Sequence, residues 1–122
     1  MSSSQCLAVL VVEDDADIRE AVAAALEIEG FHVFQATNGA EALDVLRTMP
    51  HPSLVLADLM MPVMDGWQLI RALSDDDRFA TLPVVVVSAN DQKAPEGYRR
   101  VKKPIDLDDL VKIVSELCVR ST

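Results

Sequence analysis

Aromatic residues are scarce in this sequence: they make up 4% of its 122 residues, whereas half of the residues are hydrophobic. The core must therefore be mostly aliphatic, which suits strands that are covered by helices on both faces. A chain of this length is expected to form one domain, because it is long enough to bury one core but not two.

Basic charge is also in short supply, since 11 Lys and Arg residues against 20 Asp and Glu residues give a net charge of −9. Nucleic acids and anionic membranes both attract basic surfaces, so we expect neither as a partner. No apolar run approaches the ~20 residues that span a bilayer. Residues 1–5 have neither the basic start nor the apolar segment of a secretory signal. We therefore expect a cytoplasmic protein.

Cysteine and histidine are too few and too scattered to predict a zinc-type site. Cys6 and Cys118 lack metal-ligand spacing and are expected to be small buried hydrophobic residues in a reducing compartment. His32 and His51 fall on a predicted strand and in a proline-containing turn, where surface or packing roles are expected.

Short apolar runs alternate along the chain with segments of helical periodicity. The runs that predict strands are residues 7–12, 32–36, 54–57, 84–87 and 98–102. The helix boundary signals are Asp17 with Glu20, Gly30, Asn38 with Glu41, Gly66 and Asp106. Such alternation predicts parallel βαβ units, and we expect an α/β fold with a flavodoxin-like, doubly wound, five-stranded parallel sheet of order 2-1-3-4-5.

Reactive side chains follow four of the five runs, each at the point where a strand ends: Glu13 and Asp14, Asp58, Ser88, and Lys103. The carboxyl ends of parallel strands are where open α/β sheets bind ligands. Because the expected order places the first and third strands side by side, Glu13, Asp14 and Asp58 should meet.

Three clustered carboxylates repel one another, so at least one pKa should rise unless a cation is bound. An oxygen-only site with room for water suits Mg²⁺. Asp58 beside Mg²⁺ could act as a nucleophile toward a phosphoryl group. The Lys103 ammonium and the Ser88 hydroxyl would then contact the charged phosphoryl oxygens.

These residues, together with Met61-Pro62 and Asp65-Gly66, resemble the receiver domain of two-component response regulators over nearly the whole chain. The resemblance implies that Asp58 takes a phosphoryl group from a histidine kinase or a histidine phosphotransfer protein. It also implies that the protein is no enzyme beyond promoting its own phosphorylation and dephosphorylation. A signal would pass by conformational change to a downstream protein that the sequence does not identify.

The resemblance also implies roles for individual residues. Asp14 and Asp58 would ligate Mg²⁺ directly, Glu13 would act mainly through water, and Met60 would contribute its backbone carbonyl. Ser88 and Lys103 would contact the phosphoryl oxygens. A further candidate role is a cis peptide at Pro104. The Met60 side chain offers no hydrogen bond to orient a hydrolytic water, so slow dephosphorylation is expected unless Asn90 substitutes.

Two features depart from the receiver pattern. The segment between Ser88 and Lys103 is shorter than receivers usually have, and residues 90–97 contain both Pro and Gly. We therefore expect the fourth helix of the family to be absent or vestigial. Arg100 stands where receivers usually carry an aromatic switch residue, and the basic residues around it are expected to protect an edge strand from pairing with another chain.

The expected organisation is a disordered tail over residues 1–5, a receiver domain over residues 6–120 and no output domain, as a monomer or weak dimer. The chain could equally be the receiver section of a hybrid kinase or a larger regulator. Two other classes are a protein-binding scaffold and a phosphatase with an Asp nucleophile. Such phosphatases carry a second Asp two residues after the nucleophile, where Met60 stands here.

Overall fold

The computed structural model describes residues 8–89 and 95–120, with the backbone alone for residues 118–120. The predictions made for residues 1–5, for Cys6 and for Asn90 lie outside the described residues, as does the side chain of Cys118.

The described residues form five strands and four helices. The strands are Ala8–Val12 (β1), His32–Ala36 (β2), Pro52–Asp58 (β3), Val84–Ser88 (β4) and Arg99–Lys102 (β5). The helices are Ala16–Ile28 (α1), Gly39–Thr48 (α2), Gly66–Ser74 (α3) and Leu107–Arg120 (α4). The strands form one parallel sheet in the order β2-β1-β3-β4-β5, which confirms the predicted fold.

The sheet is buried between two apolar layers, because successive strand side chains point to opposite faces. Leu10 and Val55 pack in the layer that includes residues of α2 and α3. Val9 and Leu54 pack in the layer that includes residues of α1 and α4. All four are fully buried, and each buried side chain of this size contributes about 1.5–3 kcal/mol. The central strands are therefore firmly held, and so are the residues at their carboxyl ends.

The helix boundaries follow the predicted signals with one exception. Asn38 caps α2 by accepting a hydrogen bond from the Glu41 N–H at 2.9 Å, as predicted. Asp17 and Glu20 lie near the start of α1 as predicted, but the capping role predicted for Asp17 is wrong, because Asp15 is the capping residue and accepts from the Asp17 N–H at 2.9 Å. Asp15 has the extended backbone that a cap requires, whereas Asp17 already lies in the first turn.

The chain between β4 and β5 agrees with the prediction of a shortened fourth helix. Among its described residues, Ala89 and residues 95–98, no helix is present, and Gly97 has a φ of 89° in a turn. The last helix of the chain, α4, starts directly after Asp106 as predicted. None of the described helices has the length and apolarity needed to cross a membrane.

Candidate functional site

The carboxyl ends of β1 and β3 bring three carboxylates together. Val12 pairs with Ala57, so the next residues along, Glu13 and Asp58, become neighbours. One carboxylate oxygen from each of Glu13, Asp14 and Asp58 lies within 4.8 Å of the other two. Glu13 and Asp58 are buried, whereas Asp14 is exposed. The predicted meeting of these three side chains is confirmed.

Lys103 places a positive charge against this cluster. Its Nζ donates a hydrogen bond to Asp58 Oδ2 at 2.9 Å and lies 3.8 Å from Glu13 Oε1. Burial lowers the pKa of the Lys103 ammonium. The hydrogen bond to Asp58 raises it, as do the negative charges of Asp58, Glu13 and Asp14. These effects outweigh burial, so the pKa of Lys103 is raised overall. Lys103 is therefore fully charged at neutral pH and balances one of the buried carboxylates.

Glu13 carries the raised pKa that the clustering predicted. Burial is the largest cause and raises the pKa of Glu13 to about 7. The Asp15 N–H, which donates to Glu13 Oε2 at 3.0 Å, opposes the rise, and the charge of Asp58 adds to it. Repulsion between carboxylates was predicted to raise the pKa, but removal of the Glu13 carboxylate from water raises it more.

The loop after β3 holds Asp58 in a fixed backbone setting. The Met60 N–H donates to Asp58 Oδ1 at 3.3 Å, and the Gly66 N–H donates to the Leu59 carbonyl at 2.9 Å. A Cβ on Gly66 would lie 2.6 Å from the Asp58 carbonyl oxygen, so only glycine allows this close return of the chain. Met61 is buried in the core, as expected for a residue that packs the loop.

Ser88 ends β4 with a fully buried side chain. Its Oγ accepts a hydrogen bond from Arg100 Nε at 2.7 Å. The neighbouring peptide between Lys103 and Pro104 is cis, as proposed from the sequence. The Lys103 N–H donates to the Ser88 carbonyl at 2.9 Å, which continues the ladder between the last two strands. Ser88 and Lys103 are thus joined through their backbones.

Sequence reasoning missed the contact made by Arg100. It treated Arg100 as a missing aromatic residue and as one of several charges that protect an edge strand. Only the register of β4 and β5 carries the signal: Arg100 pairs with Val86, two residues before Ser88, so the Arg100 and Ser88 side chains leave the sheet on the same face. Arg99 leaves on the other face and contacts Glu116 at 3.3 Å.

An apolar groove of about 270 Å³ lies beside these groups, between α1 and the segment that follows β5. Its lining includes Ile18, Ala21, Ile105 and Leu107, together with Lys103. The groove therefore gives an apolar surface next to the charged residues of the site.

The carboxylate cluster fits a hard divalent cation in its donor chemistry. All three groups offer carboxylate oxygen, which is the ligand type that Mg²⁺ prefers, and one oxygen from each lies within 4.8 Å of the other two. Asp14 is exposed, which leaves access for the waters that Mg²⁺ usually retains.

Comparison with known proteins agrees with this architecture. The family model of the response regulator receiver domain matches residues 9–115. Response regulator Rre1 of Synechocystis sp. is 39% identical, over 93% of this chain and 52% of Rre1. The response regulator receiver protein CpdR of Brucella abortus is 36% identical, over 91% of this chain and 96% of CpdR. The chain thus spans about half the length of Rre1.

A solved structure gives the same picture. The receiver domain of the Francisella response regulator 1452 matches with a TM-score of 0.84 and 28% identity, over 96% of this chain and 100% of that domain. The match extends over the five-stranded sheet, whose strand ends carry Glu13, Asp58 and Lys103 in this chain. The chain belongs to the response regulator receiver domain family of two-component signalling.

Proposed function

We propose that this protein is a phosphoacceptor, which takes a phosphoryl group from a histidine kinase or a histidine phosphotransfer protein onto Asp58. The observation that carries the proposal is the environment of Asp58: its buried carboxylate has the Lys103 ammonium at 2.9 Å and two further carboxylates within 4.8 Å. A lone buried carboxylate is balanced by one cation. Here three carboxylates lie beside one ammonium, so a second cation would find negative charge to balance. That combination suits the binding of a metal and a phosphoryl group together.

The metal in this proposal is Mg²⁺, held by Asp14 and Asp58 directly, by Glu13 through water and by the Met60 carbonyl. When bound, it would neutralise charge on the phosphoryl oxygens as the group is transferred. The oxygen-only donor set and the exposure of Asp14 support Mg²⁺ over metals that prefer nitrogen or sulfur.

In the transfer step, an Asp58 carboxylate oxygen forms a bond to phosphorus while the bond from phosphorus to the donor's imidazole nitrogen breaks. The imidazole keeps the bonding electrons and leaves as the neutral base after taking up a proton. Lys103 and Ser88 would contact the equatorial oxygens, where negative charge is spread in the transition state. The Lys103 ammonium lies 2.9 Å from an Asp58 carboxylate oxygen, which supports a contact with a phosphoryl group attached to that side chain.

The donor protein would approach along the groove between α1 and the segment after β5, whose lining includes Lys103. The signal would then pass to a downstream protein by a change in the surface around β4 and β5. Because the chain spans about half of Rre1 and nearly all of CpdR, the receiver could work alone or within a longer regulator or hybrid kinase. We propose residues 6–120 as the receiver domain.

The test is incubation of the wild-type protein and Asp58→Asn with acetyl phosphate and Mg²⁺, followed by intact-mass measurement and light scattering. We expect one phosphoryl group on the wild type, and none on Asp58→Asn or in the presence of EDTA. A wild-type protein that binds Mg²⁺ but gains no phosphoryl group would overturn the proposal and leave a scaffold role. Steady release of phosphate from an aryl phosphate would instead indicate a phosphatase.

A further inference from the structure

Arg100 connects the end of β4 to β5 through its side chain. Its Nε donates to Ser88 Oγ at 2.7 Å, and its Nη2 donates to the Ala89 carbonyl at 2.8 Å. One guanidinium therefore holds both the last residue of β4 and the first residue of the following loop. The contact is between a side chain on the outermost strand and a fully buried hydroxyl.

The sheet register explains why an arginine can make this contact. Arg100 pairs with Val86, and Ser88 is two residues further along β4 on the same face. Two strand residues advance the chain by about 6.6 Å. A long side chain directed along the strand can bridge that distance, whereas a short one at position 100 could not.

The direction of the hydrogen bond fixes what Ser88 can do next. A guanidinium has only donors, so Ser88 Oγ must be the acceptor of the bond from Arg100. The hydroxyl proton of Ser88 is then available for a different acceptor. Because Ser88 is fully buried and its partner is charged, this bond polarises the hydroxyl and strengthens it as a donor.

We propose that Arg100 is a positioning residue for phosphoryl transfer, which holds the Ser88 hydroxyl as a donor toward the phosphoryl group on Asp58. The inference rests on the proposed phosphoacceptor function and adds to it a residue that acts through Ser88. Removing one donor to a developing negative charge typically slows a reaction by a factor of 10²–10³. Arg100 does not contact the phosphoryl group and acts through its hydrogen bond to Ser88. We therefore expect its loss to slow phosphorylation by about fivefold to tenfold.

The neighbouring Arg99 offers a matched control. Arg99 and Arg100 carry the same charge on the same strand, but Arg99 contacts the exposed Glu116 and not Ser88. Replacing either one by methionine removes one positive charge and keeps an unbranched side chain. Any difference between Arg99→Met and Arg100→Met therefore reports the contacts of Arg100 with Ser88 and Ala89 and not the net charge of the strand.

The experiment measures the rate of phosphorylation by acetyl phosphate at saturating Mg²⁺, together with the affinity for beryllofluoride measured by calorimetric titration. We expect Arg100→Met to lower both the rate and the affinity by about fivefold to tenfold, with Arg99→Met close to the wild type. Arg100→Lys should recover part of the loss, because its ammonium can still donate to Ser88 Oγ. Mg²⁺ affinity and the free energy of unfolding should change little in all three variants.

A double-mutant cycle with Ser88→Ala identifies the route. If Arg100 acts through Ser88, adding Arg100→Met to Ser88→Ala should cause no further loss. Additive losses, equal rates for Arg100→Met and Arg99→Met, or a faster Arg100→Met protein would each overturn the inference. If the wild type itself takes up neither acetyl phosphate nor beryllofluoride, the proposed function fails rather than the role of Arg100.

Discussion

The carboxylate side of the pocket, formed by Glu13, Asp14 and Asp58, lies at the centre of the sheet, whereas its donor side, formed by Ser88, Arg100 and Lys103, lies toward the edge. β1 and β3 each pair with strands on both sides, but β5 pairs with β4 alone. Glu13 and Asp58 are nearly inaccessible, whereas Arg100 is exposed. Residues at the centre of the sheet are enclosed by neighbouring strands, so burial decides their pKa, as it does for Glu13. The edge leaves space for a long side chain to replace an aromatic one.

The energetic demands on the two sides also differ. Buried carboxylates without partners are costly, so the carboxylate side depends on Lys103 for its stability as well as for its chemistry. Arg100, by contrast, is exposed on an edge strand and remains solvated. We therefore expect changes on the carboxylate side to alter stability and metal binding, and changes at Arg100 to alter mainly the rate of phosphorylation.

Lys103→Met tests the one residue that joins the two sides. We expect phosphorylation by acetyl phosphate to slow by about 100-fold, because a cation that contacts the transferred group is lost. Mg²⁺ should bind more tightly, because a positive charge 2.9 Å from Asp58 has been removed. The two quantities can be measured by intact mass and by calorimetric titration. A parallel loss of rate and of Mg²⁺ affinity would mean that Lys103 is needed for the structure of the carboxylate side.

Gly66→Ala should damage the carboxylate side through its backbone. The new Cβ would lie 2.6 Å from the Asp58 carbonyl oxygen and 2.7 Å from Leu59 Cα, so the chain must shift. We expect the free energy of unfolding to fall by roughly 1–3 kcal/mol, measured by urea denaturation. Gly97→Ala gives a comparison, because an added Cβ at Gly97 would have no neighbour within 4 Å and any loss there comes from its positive φ. An unchanged free energy of unfolding in Gly66→Ala would show that the close approach at Gly66 is relaxed at little cost.

The pKa of Glu13 makes stability depend on pH in the metal-free protein. Its pKa is about 7 in the folded state against 4.5 for an unperturbed glutamate, so the folded state binds the extra proton between these two pH values. The corresponding stabilisation is complete below pH 4.5 and is lost as the pH rises to about 7. In EDTA, we expect the free energy of unfolding of the wild type to fall relative to Glu13→Gln across this window, by on the order of 2 kcal/mol. Parallel pH profiles for the two proteins would contradict this assignment.

Met60→Asn is expected to have the smallest effect. The Met60 side chain is 55% exposed beside Asp58 and cannot hydrogen-bond a hydrolytic water, whereas an asparagine amide can. We expect loss of the phosphoryl group from Asp58 to become about fivefold faster, at the low end of what a positioned polar group contributes. The decay of phosphorylated protein can be followed by intact mass after removal of acetyl phosphate. An unchanged decay rate would argue against a role for position 60.

Sequence reasoning succeeded where buried strands dictate position. The runs before Glu13 and Asp58 predicted adjacent strand ends, and parallel pairing brings these carboxylates together as expected. It failed where two side chains meet across strands without a pattern of their own. Nothing in the local sequence around Arg100 specifies Ser88 as its partner; only the register of β4 and β5 does. The capping residue of α1 was also missed, because Asp15 and Asp17 are both acceptable caps and backbone conformation decides between them.

The backbone hydrogen bond from the Lys103 N–H to the Ser88 carbonyl has a mechanical consequence. If the phosphoryl group draws either side chain inward, the peptide attached to the other must travel with it or break the bond. Ser88, the last residue of β4, and Lys103, the residue after β5, would then move together. A movement of these two residues would change the surface at the β5 edge of the sheet. No large side chain would have to change its rotamer.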